Sequence, residues 1–179
     1  VYAAVQSLTS SAQLPMPRVY TIPEAAPNAF ATGRDENHAA IAVTDGIVKI
    51  LNREELEGVI AHELSHIKNR DTLIASITAT MAGAIVMMAT VAKWGVLFGS
   101  DTGEGSSIGA IVTAVIAPIA ATIVQMAVSR SREYLADEGG AQVTGSPYGL
   151  ASALGKLAKA TRSVPLDANP STAHLFIVN

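Results

Sequence analysis

Cysteine is absent from the 179-residue sequence. No disulfide framework, Cys-ligated zinc ribbon or iron–sulfur site is therefore available to it. Charge is scarce as well. Asp, Glu, Lys and Arg make up 15% of the chain, against about 25% in an ordinary soluble domain. Aromatic residues contribute 4%, and the mean hydropathy is +0.34. Such a composition excludes a disordered, charge-rich chain. The net charge of −3 carries no electrostatic footprint for nucleic acid, so none is expected as a partner. Val rather than Met stands at position 1, and Phe176-Ile177-Val178-Asn179 reads as the middle of a strand. Both features predict a fragment or a processed chain.

The missing charge is concentrated in one place. Between Thr72 and Ser129 only Lys93, Asp101 and Glu104 are charged. Two apolar runs, Thr72–Leu97 and Ile108–Val128, fill this stretch, and each exceeds the roughly 18–20 residues that span a bilayer as a helix. A short polar turn, Gly99 to Ser106, separates them. The pattern predicts a transmembrane helical hairpin, with the lipid bilayer as a partner. The alternative is a helical hairpin buried in a large soluble core, since both runs are rich in Ala, Thr and Ser. Lys68 and Arg70 precede the first run, Arg130 and Arg132 follow the second, and the turn has no Lys or Arg. The positive-inside rule then puts both outer flanks in the cytoplasm. Lys93 and Trp94 stand where a snorkelling cation and an interfacial aromatic are expected.

The remaining segments predict a mainly α protein with a small antiparallel β-sheet, an α+β class. Val1–Ala12 reads as a helix. Strands are expected over Arg18–Ile22, Asn28–Thr32 and His38–Thr44, the last closed by Asp45-Gly46. The strand near His38–Thr44 is a candidate edge for an extended peptide to pair with. Asn52 and Glu55 form a capping-box pattern, and Leu56, Val59, Ile60, Leu64 and Ile67 recur at helical spacing behind it. No Gly or Pro interrupts that helix through Asp71 into the first apolar run. Another helix is expected over Pro147–Lys159. The expected organisation is 1–71 as the first part of one domain, 72–129 as the hairpin, and 130–179 as the completion of that domain.

The helix after Asn52 carries His62-Glu63-Leu64-Ser65-His66. Residues i and i+4 differ by only about 40° around a helix, so both imidazoles can grip one zinc ion. Glu63, next to the first His, sits where it can hold a water or a proton. Zinc lowers a bound water's pKa toward about 7, and a carboxylate can take the proton. The bland alternative is a surface helix with two solvated His. A catalytic zinc needs a third protein ligand. Glu133, on the helical exit from the second apolar run, is the candidate, unless it pairs with Arg130 or Arg132. Asp137, four residues on, is a candidate to hydrogen-bond the outer nitrogen of a ligand His, with Glu138 as its competitor. His38 reads as a solvated strand residue. His174 is a candidate transition-state donor or a polar residue at a strand start.

These residues resemble the HtpX-like membrane zinc metalloproteases, which are related to the CAAX prenyl endopeptidases. The resemblance covers Pro27–Arg34, Ala42–Gly46, Glu57–Thr72, Ser131–Asp137 and Asn169–Phe176. It implies a gluzincin-type protease domain interrupted by the two-helix hairpin. It implies one zinc ion per chain on His62, His66 and Glu133, with Glu63 as the catalytic acid/base. Asn28 and His174 are candidate contacts to substrate or transition state. The implied activity is that of a multi-pass endopeptidase of the bacterial inner membrane. Its catalytic part would face the cytoplasm and cleave damaged or misassembled membrane proteins. The family also implies two further membrane helices before this stretch and a His-Pro-Pro element after it. The rival class is a catalytically silent zinc-binding membrane scaffold, against which the intact Glu63 argues.

Overall fold

The structure, a computed structural model, describes residues 1–98 and 104–163. The elements are α1 (Tyr2–Ala12), β1 (Arg18–Ile22), β2 (Ala29–Gly33), a short 3-10 turn (Glu36–His38), β3 (Ala39–Thr44), α2 (Asp45–Ile50), α3 (Arg53–Lys68), α4 (Asp71–Phe98), α5 (Glu104–Thr144) and α6 (Tyr148–Ser163). The fold is mainly helical with one small sheet, the expected α+β class. Contacts divide the chain into two units. Val1–Thr72 and the segment from Glu133 onward form one, and Leu73–Arg132 forms the other.

In the first unit α3 lies at the centre. Its start is set by the Asn52 side chain, which accepts the Glu55 N–H at 2.9 Å, while Glu55 Oε2 accepts the Asn52 N–H at 2.8 Å. Glu55 also accepts Ser152 Oγ and Lys156 Nζ, each at 2.7 Å, and so ties α6 to the first turn of α3. The Lys156 ammonium, the Asn52 N–H and the Ser152 hydroxyl hold the Glu55 carboxyl down to about 2. Beyond this turn, Val59, Ile60, Ala61 and Leu64 bury themselves in a cluster with Val5 and Leu8 of α1, Ile41 and Val43 of β3, Ile47 of α2, and Ala153 and Leu157 of α6. Gly58 lets α6 come close: a Cβ there would sit 2.5 Å from the Leu150 backbone nitrogen.

The sheet is mixed rather than antiparallel throughout, in the order β1-β3-β2. β2 and β3 form the expected antiparallel pair, but β1 runs parallel to β3. The physical reason lies in the β1–β2 link. Pro23 and Pro27 bracket it, and the Glu24 carboxylate accepts the Ala25 and Ala26 N–H groups, which leaves no tight hairpin there. β1 and β2 are thus left apart, and β3 fills the space between them. As the central strand, β3 is not the edge expected for peptide pairing. Among the described strands the edges are β1 and β2.

Other expectations shift locally. His38 ends the 3-10 turn capped by Asp35 and is not in β3. Asp45-Gly46 opens α2, capped by the Thr44 hydroxyl, instead of only closing a strand. The helix after Asn52 stops at Lys68, and Arg70 takes the left-handed conformation (φ 55°) before α4 begins. No Gly or Pro announces this break, and Asn69 at the helix C-cap is its one local hint.

The second unit holds the apolar parts of α4 and α5. Two described segments, Asp71–Gly95 and Val112–Thr144, are long and apolar enough to cross a membrane, and only 11% and 6% of their apolar windows are buried. Ile77, Met81, Met87, Met88 and Val91 on α4 and Val115, Ile116, Ile119 and Ile123 on α5 are more than half exposed. Helices forming the core of a soluble fold built by this chain would be covered, and these apolar segments are not. The hydroxyls of Thr78, Thr80, Thr90 and Thr122 donate to the carbonyl four residues earlier at 2.7–2.9 Å, so these polar side chains need no water.

Gly58→Ala is expected to destabilise the first unit by about 1–3 kcal/mol, because the methyl group meets backbone rather than a movable side chain. A thermal or denaturant midpoint that does not fall would contradict this account of the α3–α6 contact.

Candidate metal centre

His62 and His66 lie one turn apart on α3, with side chains only 12% and 20% exposed. Each ring has its Nδ1 against a carboxylate. His66 Nδ1 lies 2.6 Å from Asp71 Oδ2. His62 Nδ1 lies 3.0 Å from Asp137 Oδ1, but out of line for a full hydrogen bond. A ring that keeps its proton on Nδ1 presents a lone pair at Nε2. The two Nε2 atoms face each other across 3.0 Å. Two lone pairs at that range repel, and a cation between them turns the repulsion into coordination.

The third candidate donor is Glu133. Its Oε2 lies 3.6 Å from His62 Nε2 and 3.9 Å from His66 Nε2. Among the described residues, His62, His66 and Glu133 are the group whose donor atoms come within 4.8 Å of one another. A point equidistant from the three atoms, in their plane, lies about 2 Å from each, which matches zinc–nitrogen and zinc–oxygen bonds of about 2.0–2.2 Å. Nitrogen and carboxylate donors with no thiolate also suit zinc. The residues present therefore fit the ion.

α5 reaches His62 because two glycines remove its side chains at the crossing. A Cβ on Gly139 would meet Ser65 Oγ at 2.7 Å, and one on Gly140 would meet the His62 backbone nitrogen at 3.1 Å. One turn and two turns back along α5, Asp137 and Glu133 then flank the same imidazole, one at Nδ1 and one at Nε2. Glu138, the competitor, instead accepts Gln142 Nε2 at 3.2 Å.

Glu63 points the other way, toward the sheet, and is 6% exposed. Its Oε2 accepts the Ala31 N–H of β2 at 2.8 Å. Burial pushes its carboxyl up. The His66 and His62 charges and the Ala31 N–H pull it down, the Glu133 charge adds to the rise, and the net is upward. For His62, burial opposes the charged ring, but the adjacent Glu133 carboxylate and the charges of Glu63 and Asp137 outweigh it. Without a metal His62 holds its proton above the usual imidazole range.

Two groups escaped the sequence reading. Asp71 reaches His66 only because Arg70 turns the chain back, and Asn69 at the helix C-cap is its one local hint. The Ala31 N–H is a backbone group and carries no sequence signal. Asn28 is buried at the entry to β2, where its N–H donates to Thr44 Oγ1 at 2.8 Å and its carbonyl accepts the Thr44 N–H at 2.9 Å. His174 lies outside the described residues.

Comparison with known proteins agrees with this chemistry. Residues 1–175 match peptidase family M48. The chain is 55% identical over its full length to a "Protease HtpX homolog" of Desulforapulum autotrophicum, covering 60% of that protein. It is 57% identical to those of Syntrophobacter fumaroxidans and Thermococcus kodakarensis, covering 66% and 63% of them. The chain thus spans about three fifths of the curated relatives it matches. No solved structure matches it.

Two outcomes are expected for metal binding. Asp71→Asn should weaken zinc affinity roughly 10–100-fold in competition with a chelator, because it loosens the orientation of His66. Unchanged affinity would refute that role. Zinc must also displace the proton that His62 holds above its ordinary value. Affinity should therefore fall as pH drops from about 8 to about 6, and titrating metal binding across that range checks the sign.

Proposed function

The chain belongs to peptidase family M48, and on that premise we propose that it is the catalytic portion of a zinc-dependent membrane endopeptidase. Family membership implies a metal cofactor, and the carrying observation is the convergence of His62 Nε2, His66 Nε2 and Glu133 Oε2 beside a buried carboxylate, Glu63. A bound zinc ion supplies Lewis acidity there, activating water and polarising the scissile carbonyl.

The chain's own residues do the rest. Glu63 takes the proton of the attacking water and returns it to the leaving amide nitrogen. Its upward-shifted carboxyl favours both halves of that shuttle, since a group nearer neutrality accepts and releases a proton more evenly. The Ala31 N–H holds one carboxylate oxygen and so orients the other. That N–H points away from β3, on the side of β2 where Glu63 of α3 meets it. The substrate backbone is placed by pairing with the outward backbone groups of β2 other than the Ala31 N–H, in place of the β3 edge. Backbone pairing reads little sequence, which suits a protease acting on varied substrates. Asn28 and His174 remain candidates for substrate or transition-state contact.

The domain division follows from the same reading: residues 1–71 and 130–179 make up the protease domain, and residues 72–129 a transmembrane hairpin. Its uncovered apolar helices support a place in the bilayer. Lys68, Arg70, Arg130 and Arg132 at its ends support a catalytic part on the cytoplasmic side. The proposed location is therefore the inner, cytoplasmic membrane, with multi-pass topology. The proposed substrates are damaged or misfolded membrane proteins, under a quality-control role in stress. Archaeal as well as bacterial relatives match, so the reading is not confined to bacteria.

Glu63→Gln should retain zinc and lower casein cleavage at least about 100-fold, the scale of general acid–base catalysis. A chelator should abolish wild-type cleavage, and added zinc should restore it. Full activity in Glu63→Gln would sink the mechanism. Zinc bound without wild-type cleavage would favour a silent scaffold.

A further inference from the structure

A groove of about 290 Å³ runs between the end of α1, the last turns of α3 and the last turns of α5. Its lining residues all belong to the first unit, and His62, Glu63, His66 and Glu133 are not among them. Small-ligand pockets run from about 300 to 1,000 Å³, so the groove is sized for one compact group rather than for a folded partner.

Its floor is apolar or small. Leu64 is buried, and a Cβ on Gly139 would sit 2.7 Å from Ser65 Oγ. Its rim carries one exposed charge of each sign. Lys68 stands one turn past Ser65 on α3, and Glu138 precedes Gly139 on α5, so both flank the same helix contact. Opposite charges placed there would ordinarily pair, yet no ion pair joins them among the described residues. Lys68 Nζ makes one long bond, 3.4 Å, to the Ala12 carbonyl, which leaves two of its three donors. Glu138 accepts Gln142 Nε2 at 3.2 Å, which leaves its other oxygen and the Gln142 side-chain carbonyl as acceptors.

A ligand in this groove meets a cation at one end and acceptors at the other. That arrangement suits a zwitterion with a phosphoester toward Lys68 and a primary ammonium toward Glu138 and Gln142. A purely anionic headgroup would meet the Glu138 charge, and a quaternary ammonium has no N–H to donate. Chain connectivity points to the source of such a group. The α3 wall ends two residues before Asp71–Gly95, and the α5 wall belongs to the helix carrying Val112–Thr144, both apolar enough to cross a membrane. Leu135, 53% exposed at the rim, offers aliphatic carbon to the glycerol and acyl end.

We propose that this groove holds the phosphoethanolamine headgroup of a bilayer lipid, with Lys68 on the phosphate and Glu138 and Gln142 on the ammonium. The proposal rests on the bilayer reading of α4 and α5 and is independent of the peptidase reading.

The test uses the full-length, zinc-loaded protein in detergent. Three lipids with identical short acyl chains carry phosphoethanolamine, phosphocholine or phosphoglycerol headgroups, and free phosphoethanolamine is the soluble comparison. Native mass spectrometry counts bound lipid across a titration. One phosphoethanolamine lipid should bind about tenfold or more tightly than either other lipid, the scale of one charge-assisted hydrogen bond. Glu138→Gln should remove most of that preference, and Glu138→Lys should turn it toward phosphoglycerol. Lys68→Ala should weaken all three lipids alike. Zinc content, measured on each variant, should not change.

Equal binding of the three lipids, or a preference that none of the variants alters, would overturn the proposal, as would a phosphoglycerol preference in the wild type. Free phosphoethanolamine bound as tightly as the lipid would overturn the lipid source and assign the groove to a soluble phosphoester amine. A full-length protein that stays soluble without detergent would instead overturn the bilayer reading, and this one with it.

Discussion

Two imidazole nitrogens facing each other at 3.0 Å are the constraint around which the first unit is arranged. Each ring has a carboxylate beside its Nδ1, hydrogen-bonded at His66 and at 3.0 Å but out of line at His62, and the two Nε2 atoms face each other. The two carboxylates come from different parts of the chain. Asp71 follows α3 after a left-handed turn, and Asp137 arrives on α5. Neither works unless α3 is held still, which is why the motif helix is also the most deeply packed one. Its apolar stripe joins α1, α2, β3 and α6 in one core, and its capping box is locked from α6 through Glu55.

Rigid placement of this kind depends on removing side chains as much as on adding them. Gly58 admits the α6 backbone, and Gly139 and Gly140 admit α5. The first contact adjoins a recess beside His62 that Val59, Leu150 and Leu154 line with aliphatic carbon. The second puts Glu133 and Asp137 at opposite nitrogens of one ring. The candidate metal centre and the recess lined by Val59, Leu150 and Leu154 are thereby built at adjoining helix crossings, both of which include His62.

Much of this was legible locally. The spacing of His62 and His66, the Asn52 cap and the stripe from Leu56 to Ile67 all act within a few residues, and the helix formed where they place it. The same holds for the apolar stretches of α4 and α5, whose length and lack of charge are properties of the segment alone. Asp137 could be named because i and i+4 share a helix face with Glu133. Asp71 could not, because its reach to His66 depends on a backbone turn at Arg70 that no Gly or Pro announces. The order of the strands was hidden for a related reason. Pairing between β1 and β3 joins residues about twenty positions apart, across a link whose geometry is set by Pro23, Pro27 and Glu24 together.

The sequence by itself determined the chemistry available: no thiolate, two imidazoles on one helix face, a neighbouring carboxylate, and apolar segments long enough for a bilayer. These are determined early because they depend on residue type and on helical period, which are short-range. Tertiary structure alone decided which acid faces which nitrogen, which strand forms the edge, and where the apolar recess opens. The first and the last depend on how closely backbones approach at Gly58, Gly139 and Gly140, and the strand order on the link between β1 and β2; all are properties of packed elements rather than of any one segment.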